Sequence, residues 1–155
     1  MKNLRNLMFA LVLLVCTSFG LVACLEVEKT AITTETFVTT MEGKGFTISD
    51  ESERDLLFYD VDKVSIATRD DCIIEFYEFG SVEDALDLFE ELEFDFKFES
   101  FSSKVTGSGM NYNRFEGSGA GGYALLCRVD STLMIVDVES KHIDIAKSIV
   151  KEFGY

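Results

Sequence analysis

The hydrophobic pattern changes period in the middle of the chain, and this change most limits what the chain can fold into. Over Cys72–Phe79 apolar and polar residues largely alternate, which is typical of a strand with one drier face. Directly after this segment, Ser81 and Asp84 form a capping-box-like start. Apolar residues then recur at helical spacing, at Val82, Ala85, Leu86, Phe89, Leu92 and Phe96. A strand followed at once by an amphipathic helix is therefore predicted.

The end of this middle helix is less sharply marked than its start. Phe94, Phe96 and Phe98 alternate as in a strand, whereas Phe94, Phe98 and Phe101 are also spaced as on a helix. The end therefore falls between Leu92 and Phe101, and we place it at about Phe98.

Two further helices are predicted towards the two ends of the exported chain. The first has Thr33 as its N-cap and is ended by Gly43 and Gly45. The last has Ser140 as its N-cap and Gly154 as its stop signal. The apolar stripe of the last helix consists of Ile145, Ala146, Ile149, Val150 and Phe153.

Runs rich in β-branched and aromatic residues predict the strands. These runs lie at residues 56–59, 64–68, 72–79, 112–115, 123–129 and 132–138, and Phe46-Thr47-Ile48 opens a further strand after the first helix. Asp130 and Ser131 join the last two runs as a hairpin. Because several links have hairpin length, we expect an α+β fold with a mainly antiparallel sheet, in the order helix, three strands, helix, three strands, helix.

The first 24 residues have the layout of an export signal. Lys2 and Arg5 precede a short apolar run that ends near Gly20, and this run is short of the roughly 20 residues of a spanning helix. Residues 21–24 read Leu-Val-Ala-Cys and resemble the lipobox of bacterial lipoproteins, whose cysteine receives diacylglycerol and becomes the new amino terminus. The alternative is ordinary cleavage near residues 18–20, with Cys24 a plain thiol.

The lipobox interpretation divides the chain into three parts. Residues 1–23 are a signal peptide that is removed, residues 24–31 are the lipidated cysteine and a short tether, and residues 32–155 are a single domain. The diacylglycerol on Cys24 would hold the domain on the extracytoplasmic face of the cell membrane, since two acyl chains anchor stably.

Charge excludes one class of partner. The chain has 14 lysines and arginines against 28 aspartates and glutamates, a formal charge of -14. Removal of the signal peptide takes away two cations and no anion, so the mature charge becomes -16. A surface of this charge repels phosphates, so we expect no nucleic-acid partner and repulsion from anionic lipid headgroups.

Several short patterns extend the likeness to known proteins beyond the lipobox. They are the early helix ending at Gly45-Phe46, Glu75-Phe76 before Ala85, residues 128–133 (Arg-Val-Asp-Ser-Thr-Leu), and the terminal Phe153-Gly154-Tyr155. With these patterns the chain resembles a group of small uncharacterised lipoproteins of low-GC Gram-positive bacteria. The resemblance implies export, anchoring and a small α+β domain, and it implies no catalytic role.

Three patterns suggest chemistry, but each has a simpler interpretation. Residues 117–122 match G-x-G-x-x-G, yet they precede a strand instead of a helix, which favours a hairpin loop. Cys72 and Cys127 could form a disulfide if their strands are neighbours, but we expect two separate buried thiols. His142 has no nucleophile partner by spacing and is interpreted as a helix-surface side chain.

The carboxylates also lack the spacing of a dedicated site. Asp60 and Asp62 begin like a calcium loop, but the glycine and the later ligands are missing. Two cysteines and one distant histidine do not make a zinc site. We therefore predict no catalytic residues, no metal and no cofactor.

The polar face of the middle helix is the candidate interaction surface. This acidic face consists of Glu83, Asp84, Asp87, Glu90 and Glu91. The leading hypothesis is a membrane-anchored extracytoplasmic lipoprotein that acts as a non-catalytic binding module for an unknown, cationic protein or peptide. The alternatives are a small ligand-binding lipoprotein associated with a transporter and a carboxylate-dependent cell-envelope hydrolase.

Overall fold

A single antiparallel sheet lies between helices on both of its faces in the computed structural model, which describes residues 28–53, 59–99 and 101–155. The predicted signal peptide, Cys24 and most of the predicted strand at 56–59 lie outside the described residues. The elements are α1 (Thr34–Gly43), β1 (Thr47–Asp50), β2 (Val61–Arg69), β3 (Cys72–Phe79), α2 (Val82–Phe98), β4 (Ser103–Ser108), β5 (Tyr112–Ser118), β6 (Gly122–Val129), β7 (Thr132–Glu139) and α3 (Ile143–Phe153).

The sheet has seven strands in the order β1-β2-β3-β7-β6-β5-β4, and each neighbouring pair is antiparallel. The α+β class and the order of helices and strand groups are therefore confirmed. The second group contains one strand more than predicted, the edge strand β4. All six of its residues are exposed, so β4 carries no apolar alternation by which the sequence could have revealed it.

Aspartates in positive-φ conformations close two of the hairpins. Asp70 and Asp71 have φ values of 50° and 64° between β2 and β3, and Asp130 has 49° between β6 and β7. Aspartate tolerates this region because its short side chain can bond the local backbone. The hairpin predicted over Asp130 and Ser131 is confirmed by the pairing of Val129 with Thr132.

Each face of the sheet carries its own core. One core packs α1 and α3 against residues such as Phe76 and Leu125, and the other packs α2 against Tyr77, Leu126 and Leu133. Strand β6 lies between both layers and is buried at all eight positions. The three-layer arrangement places α2 and α3 on opposite sides of the sheet.

The ends of α1 and α2 follow the sequence. The Thr33 hydroxyl accepts a hydrogen bond from the Thr36 amide at 3.2 Å, and the Ser81 hydroxyl accepts one from the Asp84 amide at 3.0 Å. Helix α2 ends at Phe98, as predicted. Both N-caps satisfy an amide that the first turn of a helix leaves without an intrahelical partner.

The start of α3 differs from the prediction. Ser140 is not its N-cap, because a 3₁₀ turn over Ser140–His142 precedes the helix and the Ser140 hydroxyl donates to the Ala120 carbonyl at 2.9 Å. The predicted stop at Gly154 is confirmed, with a left-handed φ of 77°. No helix among residues 28–53, 59–99 and 101–155 is long and apolar enough to span a membrane.

Candidate binding site

A basic and aromatic pocket opens beside α3, at the end of the sheet formed by β4, β5 and β6. Its volume is about 590 Å³. The charged and aromatic side chains that line it, here called the basic pocket, are Lys29, Tyr112, Arg114, Glu116, Tyr123, Lys147, Lys151 and Tyr155. Four of the 14 lysines and arginines of this acidic chain therefore lie around one cavity.

The alternation of β5 supplies one wall of the basic pocket. Tyr112, Arg114 and Glu116 are two residues apart and so point to the same face of the sheet. Arg114 and Glu116 pair with Cys127 and Leu125 of β6, which belong to the core beneath α1 and α3. This face is therefore the α3 face, and the pocket lies where α3 leaves the edge of the sheet open.

Helix α3 supplies the opposite wall. Lys147 and Lys151 are four residues apart, so they lie one above the other on one helix face. Val150 of α3 and Gly107 of β4 also line the pocket. A Cβ added at Gly107 would meet nothing within 4 Å, which shows that the space above β4 is open.

One carboxylate balances part of this positive charge. Glu116 accepts a hydrogen bond from Arg114 at 2.9 Å, and its other oxygen lies 3.6 Å from the Lys147 ammonium. Burial disfavours the charge on Arg114, but the hydrogen bond and the charge of Glu116 together outweigh it, so the pKa of Arg114 is raised. Among the described residues, neither Lys29 nor Lys151 is in an ion pair with a carboxylate, which leaves the pocket net positive.

Two of the cations lie over tyrosine rings. The Lys147 ammonium is 4.9 Å from the ring centre of Tyr123, and the Lys29 ammonium is 5.3 Å from that of Tyr112. Contacts of this kind contribute about 0.5–1 kcal/mol each at exposed sites. Burial raises the pKa of Tyr155 to about 12 and also raises that of Tyr123, so both phenols are neutral at physiological pH.

The amino-terminal segment of the domain is fixed at the rim of the basic pocket. The Lys29 amide donates to the Asn111 side-chain oxygen at 3.1 Å, and the Asn111 amide group donates to the Lys29 carbonyl at 2.8 Å. The Lys29 ammonium also donates to the Gly154 carbonyl at the end of α3. Three separate bonds therefore hold this residue beside the cavity.

The basic pocket was not predicted from the sequence. The signals were the alternation of Tyr112, Arg114 and Glu116 and the helical spacing of Lys147 and Lys151. Each signal alone is typical of an ordinary surface strand or helix. Only the packing of α3 on the sheet brings the two sets together.

The acidic face of α2 lies on the other side of the sheet. Glu83, Asp87, Glu90 and Glu91 are exposed, but two of its five carboxylates already make local bonds. Asp84 accepts a hydrogen bond from the Ser81 hydroxyl at 2.5 Å. Glu91 accepts one from the Tyr59 hydroxyl at 2.5 Å, and this bond is the main cause that raises the pKa of Tyr59 to about 12.

Cys72 and Cys127 are both buried and are free thiols. The two cysteines lie on β3 and β6, which are separated by β7. Cys127 of β6 pairs with Met134 of β7, and Met134 pairs with Phe76 of β3, which is four residues along that strand from Cys72. With about 4.8 Å between strands and about 3.3 Å per residue, their Cα atoms are about 16 Å apart, beyond the roughly 7 Å limit of a disulfide. Burial raises the pKa of both thiols, which lowers their reactivity.

The glycine run forms the hairpin between β5 and β6. Gly119 and Gly122 exchange backbone hydrogen bonds of 3.0 and 3.3 Å. A Cβ at Gly122 would lie 2.2 Å from the Val138 carbonyl oxygen, so the close approach of β7 requires glycine there. This position has a packing reason that is independent of any phosphate.

His142 is half-buried instead of lying on a helix surface. It lies in the turn before α3, and its Nε2 has no hydrogen-bond partner in the described part of the chain. Within residues 28–53, 59–99 and 101–155, no group of three or more histidines, cysteines, aspartates or glutamates could hold a metal ion.

Comparison with known proteins gives one structural neighbour. No family model matches the chain, and no curated protein matches it. The fold is similar to that of a GTP binding regulator from Thermotoga maritima, with a TM-score of 0.50 and 14% identity over 82% of this chain and 89% of that chain. At this identity the likeness concerns the fold alone.

Proposed function

We propose that the chain is a lipid-anchored, extracytoplasmic binding module without chemistry of its own, and that the basic pocket binds an anionic group. The observation that carries this proposal is the gathering of four cations around one cavity in a chain of formal charge -14. The export signal and the lipobox-like residues ending at Cys24 support the location.

The donors of the basic pocket suit an anion with two or more oxygens. Arg114 presents a planar fork and Lys147 and Lys151 present point charges, and this mixture is common where carboxylates or phosphates are bound. The half-buried ring of Tyr112 beside the cations can contact an apolar portion of the ligand. Glu116 is the only carboxylate among the described residues that line the pocket, whereas a hydrolase of the glycosidase type needs two.

A titration of the full chain with phenyl phosphate tests the pocket. We expect the largest amide NMR shifts at Gly107, Arg114 and Val150. The double variant Lys147→Gln/Lys151→Gln should weaken binding about tenfold or more, since a hydrogen bond to a charged group contributes about 1.5–3 kcal/mol.

The control for this titration is Lys63→Gln/Lys97→Gln, which removes the same charge from β2 and α2, outside the basic pocket. It should bind phenyl phosphate like the unaltered chain. Equal weakening in both double variants would mean that net charge, and not the pocket, attracts the anion.

The anchor is tested separately by metabolic labelling with a radioactive fatty acid. Cys24→Ala should abolish the label and move the protein out of the detergent phase, because two acyl chains provide the membrane affinity. A label that persists in Cys24→Ala would contradict the lipobox.

The acidic face of α2 supports a second binding activity, towards cationic protein segments. Glu83, Asp87 and Glu90 are exposed on a side of the sheet opposite the basic pocket. Binding there should weaken as salt rises, because exposed charges are screened beyond about 8 Å at physiological ionic strength.

A further inference from the structure

We infer that the basic pocket docks onto the phosphates of anionic phospholipid headgroups, in the membrane to which Cys24 is anchored. This inference rests on the proposed function and specifies the source of its anion. It concerns the same pocket but adds an orientation of the domain relative to the membrane.

The predicted anchor lies close to the basic pocket along the chain. Lys29 lines the basic pocket and is the fifth residue after Cys24. Five residues span at most about 18 Å when fully extended. An acylated Cys24 would therefore keep the pocket within about that distance of the headgroups, because the bonds with Asn111 fix Lys29 at the rim.

The positive and negative charges of the domain lie on opposite faces of the sheet. The basic pocket lies on the α3 face of the sheet, and the acidic face lies on α2 across the sheet. An anionic surface attracts the first and repels the second, so both forces favour the same orientation. The repulsion expected from the overall charge applies to α2 and not to the pocket.

The side chains at the rim of the basic pocket are suited to phospholipid headgroups. Lysine side chains of α3 can extend their charged ends towards headgroups, with the Lys147 side chain already 48% exposed. Tyr112, which is half-buried, presents a ring with a polar tip beside these cations, a combination suited to the boundary between water and lipid. The open space above Gly107 gives a headgroup access.

Lysine acetylation by a water-soluble reagent tests the docking. The full chain, as isolated from membranes, is reconstituted into vesicles of phosphatidylcholine, with or without phosphatidylglycerol, and each lysine is quantified by mass spectrometry. We expect Lys147 and Lys151 to react about fivefold more slowly in the anionic vesicles, the effect of about 1 kcal/mol per basic residue near such a surface. Lys63 and Lys97 should react equally in both.

Matched variants then show whether the basic pocket causes this protection, with Lys29 as the reporter. In Lys147→Gln/Lys151→Gln the protection of Lys29 by anionic vesicles should be lost. In the control Lys63→Gln/Lys97→Gln it should be retained. Loss of protection in both variants would overturn the inference, because docking would then follow net charge alone.

A third arm separates headgroups from soluble phosphate. Glycerol phosphate added to neutral vesicles should protect these lysines less than anionic vesicles do. Equal protection by glycerol phosphate, or equal reactivity in neutral and anionic vesicles, would overturn the docking while leaving the proposed anion pocket intact. Failure of the anchor is seen independently, as absence of fatty-acid label on Cys24.

Discussion

Helices α2 and α3 cover opposite faces of the same sheet, yet their solvent sides differ in what they can do. Helix α2 covers its core with Ala85, Leu88 and Phe89 and presents mainly carboxylates outwards. Helix α3 covers its core with Ala146, Ile149 and others, and its Lys147 lies beside Glu116 of β5. A charged helix face alone makes a surface, whereas a charged helix face beside an open strand makes a pocket.

The largest expected effect tests the packing of the α2 side. Phe89 is 3% exposed, and Phe89→Ala should lower the free energy of unfolding by about 3–5 kcal/mol, since it removes a buried ring and leaves a cavity. Denaturant unfolding followed by circular dichroism measures this loss.

The control on the same helix is Val82→Ala. Val82 was predicted to lie on the apolar stripe but is 52% exposed, so its truncation should cost less than about 1 kcal/mol. Similar losses in the two variants would mean that α2 does not cover the sheet as described.

The next largest expected loss of stability concerns β6, the strand that packs between the two helix layers. Gly122→Ala should destabilise the protein by about 1–3 kcal/mol, because the new Cβ would lie 2.2 Å from the Val138 carbonyl oxygen. Gly121→Ala is the matched control, since its Cβ would meet nothing within 4 Å. Thermal unfolding of both variants compares them, and an equal shift in Tm would show that β6 and β7 are less closely packed than the structure has them.

The parts of the fold that could be predicted from the sequence are those that depend on local signals. Local signals were enough to predict a helix end where residues near that end cap it, as Thr33, Ser81 and Gly154 do. They failed at Ser140, where a tertiary bond to Ala120 competes for the hydroxyl. They also failed at β4, which is exposed throughout.

The same contrast between local signals and tertiary contacts applies to the two candidate surfaces. The acidic face was visible because one helix carries all five carboxylates. The basic pocket was not, because Lys29, Arg114 and Lys147 are far apart in the chain and meet only through the sheet. Composition averages over both surfaces, so a formal charge of -14 conceals the positive region.

A double set of charge variants sharpens the contrast between the two surfaces. Glu83→Gln/Glu90→Gln should reduce binding of an oligolysine peptide by about 2- to 30-fold, since exposed ion pairs contribute about 0.2–1 kcal/mol each, and should not weaken phenyl phosphate binding. Lys147→Gln/Lys151→Gln should weaken phosphate binding and not peptide binding. Calorimetric titration measures both ligands on both variants, and a single variant that abolished both activities would contradict two separate surfaces.

The smallest expected effect lies at the acidic face, where Glu91 accepts the Tyr59 hydroxyl. This bond, with smaller contributions from burial and from nearby carboxylates, raises the pKa of Tyr59 from 10.0 to about 12. Because the folded pKa exceeds the unfolded one, the bond contributes stability fully below pH 10 and loses it as pH rises through about 12. Ultraviolet titration at the phenolate band should show Tyr59 ionising at lower pH in Glu91→Gln, because the amide carries no charge against the phenolate.

Tyr59→Phe identifies the absorbance that belongs to this residue, and an unchanged titration in Glu91→Gln would show that Glu91 does not hold the hydroxyl. In that case Glu91 would join Glu83, Asp87 and Glu90 as a carboxylate available to cationic partners.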